Sequence, residues 1–74
     1  MKSFILDLYY LYDRFLEGCE VEVGYDETAR KVEYISFLPS TAKYLRELPV
    51  DEQQIVDDVA KYLSDPETFE EHAE

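Results

Sequence analysis

Acid–base, metal or nucleophilic chemistry in this 74-residue chain would draw on eighteen carboxylates, one histidine and one cysteine. His72 falls in a tail expected to be short or frayed. A catalytic or metal-bound imidazole needs an orienting partner and a rigid mount, and such a tail supplies neither. Cys19 has no histidine near it in sequence and alternates with Val21, which reads as a buried, inert thiol. Asp57 and Asp58 are neighbours on a helical stretch and point about 100° apart, a poor pair for one metal ion. The segment GYDETARK lacks the ligand spacing of a calcium loop. The two glycines stand far apart, so there is no phosphate-cradling loop. Neither an enzyme nor a cofactor is expected.

The carboxylates matter more as a population. Seven bases against eighteen acids leave a net charge of −11. Residues 49–74 hold nine of the acids and only Lys61 against them, and so account for −8 of that total. Such a field repels nucleic acid and anionic membranes and steers toward basic surfaces. Length allows one domain, residues 1–74. A single cysteine excludes an internal disulfide and favours a reducing compartment. The apolar start is interrupted by Asp7, and no run approaches the ~20 apolar residues of a membrane span. A cytoplasmic protein is expected.

The elements that would carry these groups form an α+β fold. Phe4, Leu8, Leu11 and Phe15 recur at helical spacing, with Ile5, Tyr12 and Leu16 widening the stripe, so residues 3–17 read as an amphipathic helix capped by Ser3 and ended by Gly18. That helix places Leu6 and Tyr10 outside among the charges. The stretches CEVEVGY and KVEYISF alternate as two strands around the polar turn DETAR. The second of these is apolar on both sides or changes face. Two strands are marginal alone, and flanking helices would cover them. Pro39 opens a short helix through STAKYLREL. Asp51 caps the next, with Gln54 at N3, Val50 placed to staple onto Ile55, and a core stripe of Ile55, Val56, Val59, Tyr62 and Leu63. Asp65 and Pro66 restart a short terminal helix over 65–74, docked by Phe69.

On this scaffold Glu20 and Glu22 share one strand face, with Cα atoms about 6.6–6.8 Å apart, comparable with successive phosphates of one DNA strand. Glu33 extends the array sideways if the register permits. Asp57, Asp58, Asp65, Glu67, Glu70 and Glu71 form a second bank. Seven tyrosines and four phenylalanines exceed what so small a core needs. Most of Phe4, Tyr12, Phe15, Tyr34, Phe37, Tyr44 and Tyr62 are expected in the core, and Tyr10 at the rim with Tyr9 or Tyr25. An exposed tyrosine beside carboxylates can stack on arginine while the acids pair with it.

In size, acidity and tyrosine content the chain resembles the small phage-encoded inhibitors that act as DNA mimics, among them anti-restriction and anti-CRISPR proteins. The resemblance is one of type and not of motif. It implies a phage protein in the cytoplasm of a bacterial host, with carboxylates standing where phosphates would lie in the basic channel of a CRISPR effector or another defence nuclease. Glu20, Glu22 and Glu33, or the bank from Asp57 to Glu71, would then face Arg and Lys of that partner, without contact to nucleic acid or membrane. Two other readings stay open. One is a general protein-interaction module or a homodimer, joined through Leu6 and Tyr10 or the exposed hairpin edge. The other is an immunity protein or antitoxin that neutralises one basic nuclease.

Overall fold

The computed structural model describes residues 2–12, 16 and 18–73. It is a three-stranded antiparallel sheet with short helices, in the order β1 (Lys2–Asp7), α1 (Tyr9–Tyr12), β2 (Glu20–Asp26), β3 (Lys31–Phe37), α2 (Pro39–Leu45), α3 (Glu52–Tyr62) and α4 (Pro66–His72). The α+β class expected from the sequence holds. The expected N-terminal helix does not, because its first half is a strand. β1 pairs with β2 from Lys2 opposite Tyr25 to Asp7 opposite Glu20, which makes β2 the central strand. Only Tyr9–Tyr12 forms an α-helix there; Leu16 is buried in the core, and positions 13–15 and 17 of the expected helix, Phe15 among them, lie outside the described residues.

The physical reason lies in two competing periods. Phe4, Leu6 and Leu8 alternate with Ser3, Ile5 and Asp7 as well as Phe4, Leu8 and Leu11 follow a helical repeat. An unpaired edge of β2 decides between them, since a third strand satisfies a row of backbone groups that a helix would leave open. Leu6 therefore points into the core with no exposure, and Ile5 is 48% exposed. These are the reverse of their helical assignments.

A second local irregularity explains the ambiguous pattern of β3. Tyr34 pairs with Gly24 and Val32 with Tyr25, so Glu33 is an extra residue opposite the Gly24–Tyr25 step. This bulge changes the face presented by the strand. Val32, Ile35 and Phe37 all pack against the core, and Tyr34 turns to the other side. There its ring lies on Gly24. A β-carbon added to Gly24 would fall 2.0 Å from the ring.

One sheet face carries the core. Leu6, Val21, Val23 and Tyr25 meet Leu45, Ile55, Val59, Leu63 and Phe69 from the helices. Phe69 packs edge-on to Tyr25 at 5.3 Å and to Phe4 at 6.3 Å between ring centroids. Tyr25, assigned to the rim, is buried, and Cys19 is buried as expected. Of the rings expected mostly in the core, Tyr34 and Tyr44 are the exceptions among the described residues, 40% and 45% exposed. The caps follow the sequence. Asp51 accepts from the Gln53 amide at 2.9 Å, and Asp65 from the Glu67 amide at 3.0 Å, with Pro66 starting α4. Gln54 departs from its capping-box role and donates instead to Asp58. No helix among the described residues is long and apolar enough to cross a membrane.

Candidate functional site

The acidic residues divide between two sides of the molecule. On the sheet face away from the core, pairing sets Glu22 between Ile5 and Ser36, and Glu20 beside Asp7. Ser3, Ile5, Glu20, Tyr34 and Ser36 are exposed there, and Glu22 is half-buried. Among the described residues the Glu20 and Glu22 carboxylates take part in no hydrogen bond or ion pair; the Glu20 backbone N–H donates to the Thr41 hydroxyl at 2.8 Å. Asp7, opposite Glu20, accepts from the backbone N–H groups of Tyr9 at 2.9 Å and Gly18 at 3.3 Å. Gly18 meets it with a left-handed φ of 85°.

Glu33 does not flank Glu20 and Glu22. Its place at the bulge puts it at the turn end of the hairpin, where it shares a depression of about 320 Å³ with Asp26, Glu27 and Thr28. Asp26 is committed to the turn: the Ala29 and Thr28 amides donate to it and hold its carboxyl below the usual carboxylate range.

The helical bank is largely engaged within the fold. Arg30 occupies a left-handed conformation with φ 55° at the end of the turn, and its Nε donates to Glu70 at 2.8 Å. Its guanidinium also lies 5.4 Å from the Phe69 ring and 5.8 Å from the Tyr25 ring, and donates to the Ala73 carbonyl at 3.3 Å. Glu70 is thus neutralised by the chain's own arginine. Asp57 accepts from the Gln53 side chain at 3.1 Å. The Tyr12 hydroxyl and the Gln54 amide both donate to Asp58 and lower its pKa. Burial, together with that ionised neighbour, pushes the Tyr12 hydroxyl far above its ordinary value. Glu67 and Glu71 are exposed.

Asp58 and Asp65 are brought together with the tyrosines. They line an open groove of about 530 Å³ between α1 and the α3–α4 corner, with Tyr10, Leu11, Tyr12 and Tyr62. Tyr10 is 65% exposed, as the sequence implied. Its neighbour Leu6 is not, and a dimer contact through Leu6 is ruled out by its burial. His72, expected to have no role, is the hub of this end. Its ring stacks on Phe4 and makes a T-shaped pair with Tyr10, with centroid separations of 6.0 and 5.0 Å, and Nε2 lies 3.2 Å from the Tyr62 hydroxyl. Asp7, Ile5 and Tyr34 on the sheet face were missed. The alternation of Ser3, Ile5 and Asp7 was the available signal for the first two.

Among the described residues no three His, Cys, Asp or Glu side chains converge as a metal site. No protein-family model matches the chain, and no curated protein or solved structure matches it.

Proposed function

We propose that this chain is a non-enzymatic inhibitor of the DNA-mimic type, which occupies the basic nucleic-acid site of a CRISPR effector or another defence nuclease in a bacterial cytoplasm. The observation that supports this most is the density of charge. The fold is 37 Å along its longest axis and 18–20 Å across. Averaged along that axis, its eleven net negative charges fall one per about 3.4 Å. One strand of duplex DNA carries one charge per about 3.4 Å of axis. The protein therefore presents the linear charge of a single strand on a body about one helical turn long, roughly 34–36 Å.

Glu20 and Glu22, without partners among the described residues, suit this role better than Asp58 or Glu70, whose oxygens already have donors. Charge also favours a foreign, basic partner over self-association through Tyr10, since a second copy would bring another −11. An immunity protein or antitoxin would use the same chemistry against a different nuclease.

Affinity capture from a bacterial lysate with salt-gradient elution identifies the partner, and inhibition of that partner is then measured with variants. Replacing Glu20 and Glu22 together by lysine weakens inhibition at least tenfold and flattens its salt dependence, because close interfacial charge pairs couple by about 1.5–7 kcal/mol. The pair Asp57→Lys and Asp58→Lys has the smaller effect. Inhibition unchanged by both double reversals would show that the carboxylates do not substitute for phosphates.

A further inference from the structure

We infer that the groove between α1 and the α3–α4 corner receives an arginine side chain from a basic protein partner, its guanidinium stacked on tyrosine and paired with carboxylate. The inference rests on the proposed binding of a basic protein and assigns one contact within it.

The aromatic part of the groove is held in place before any partner arrives. Tyr10 leaves most of its ring in water, yet its position is set by a T-shaped contact with His72, 5.0 Å between ring centroids. His72 is itself fixed between Phe4 and the Tyr62 hydroxyl. Tyr12 is tethered by its bond to Asp58. Rings so fixed offer a stacking surface with little ordering cost on binding.

The polar part selects the ligand. Asp58 stays ionised because two donors stabilise its carboxylate. Asp65 uses Oδ1 for the Glu67 amide, and its second oxygen has no partner among the described residues and can face a ligand. Among the described residues Lys61 is the one base lining the groove, so the described charged side chains there sum to one negative charge. An anion is repelled by this groove and by the −8 of residues 49–74. A purely apolar ligand would strip water from two carboxylates without replacing its hydrogen bonds. A lysine ammonium is compact and strongly hydrated. A guanidinium is planar, stacks on aromatic faces and donates in a fork matched to carboxylate, and so it uses both parts of the site.

The test is a titration of the whole ¹⁵N-labelled protein, followed by amide shifts, with a capped Gly-Ser-Arg-Ser-Gly peptide. Matched peptides carry lysine or citrulline at the centre. The arginine peptide is expected to move the amides of residues 10–12 and 58–68, the lysine peptide to bind more weakly, and the citrulline peptide to leave them in place. Tyr10→Ala should weaken binding about two- to fivefold, the scale of an exposed cation–ring contact. Asp65→Asn should weaken it about twofold while preserving the helix cap, since asparagine caps as well as aspartate. Equal binding of citrulline or lysine overturns the inference, as do shifts centred on Ile5, Glu22 and Tyr34. In either case a salt-sensitive complex with a basic nuclease would leave the broader proposal standing. Failure to capture any basic partner would remove the broader proposal, even with the arginine peptide seated in the groove.

Discussion

The carboxylates of the sheet face and those of the helical layer have the same chemistry and opposite duties. Asp51, Asp58, Asp65 and Glu70 each accept a hydrogen bond that shapes or closes the helical layer: two helix caps, a tether to α1 and a latch to the hairpin turn. Glu20 and Glu22 accept none among the described residues, and Glu20 faces the like charge of Asp7 across the strands. Opposed like charges on a sheet are unfavourable, so this arrangement is tolerated by the fold and not required by it. A carboxylate that stabilises the fold can still offer a partner its charge or a left-over oxygen, as proposed for Asp58 and Asp65 in the groove. It has fewer acceptor sites to give. Glu20 and Glu22 use none of theirs among the described residues and are free to make full charge contacts.

The strongest way to break the helical side of this comparison is Phe69→Ala. Phe69 is 3% exposed and anchors α4 against Tyr25 and Phe4, so its loss should cost about 3–5 kcal/mol in urea unfolding. That is a large share of the ~5–15 kcal/mol available to a small domain. The caps come next. Asp65→Ala should cost about 1 kcal/mol and Asp65→Asn close to nothing, which separates capping from charge. The opposite sign is expected on the sheet: Glu20→Gln should stabilise the protein by about 0.2–1 kcal/mol by relieving the contact with Asp7.

The pH dependence sharpens the contrast. The Asp58 carboxyl is held below its ordinary value of 3.8 in the folded state. Its contribution to stability is therefore complete above that value and is lost as pH falls through the lower folded pKa. Tyr12→Phe removes the main donor and should move the Asp58 titration, followed by carbon NMR, upward toward 3.8. No movement would mean that the hydroxyl does not hold the carboxylate.

How far the sequence disclosed all this depended on the range of the interaction. Asp51, Asp65 and Pro66 announce their helices because a cap is settled within three residues. The stripe of α3 was equally plain. Residues 2–8 fit two periods at once, and the choice was made by β2, more than a dozen residues away. The bulge at Glu33 was foreshadowed by a strand apolar on both sides, but its effect, separating Glu33 from Glu20 and Glu22, needed the register. The bonds Tyr12–Asp58 and Arg30–Glu70 span 46 and 40 residues, and no local pattern reports a pairing of that length. The groove at Tyr10 was half visible: the exposed ring was expected, and its companions Asp58, Asp65 and His72 arrive only by folding.

Among the described residues the strand order β1–β2–β3 leaves both outer strands with an unpaired backbone edge. Such an edge is a template on which another chain can add. At neutral pH mutual repulsion between molecules keeps these templates apart. Near pH 4.3, the isoelectric point read from the sequence, that repulsion vanishes while the strands remain, so concentrated solutions acidified to this point should self-assemble edge to edge and clear again when the pH is raised.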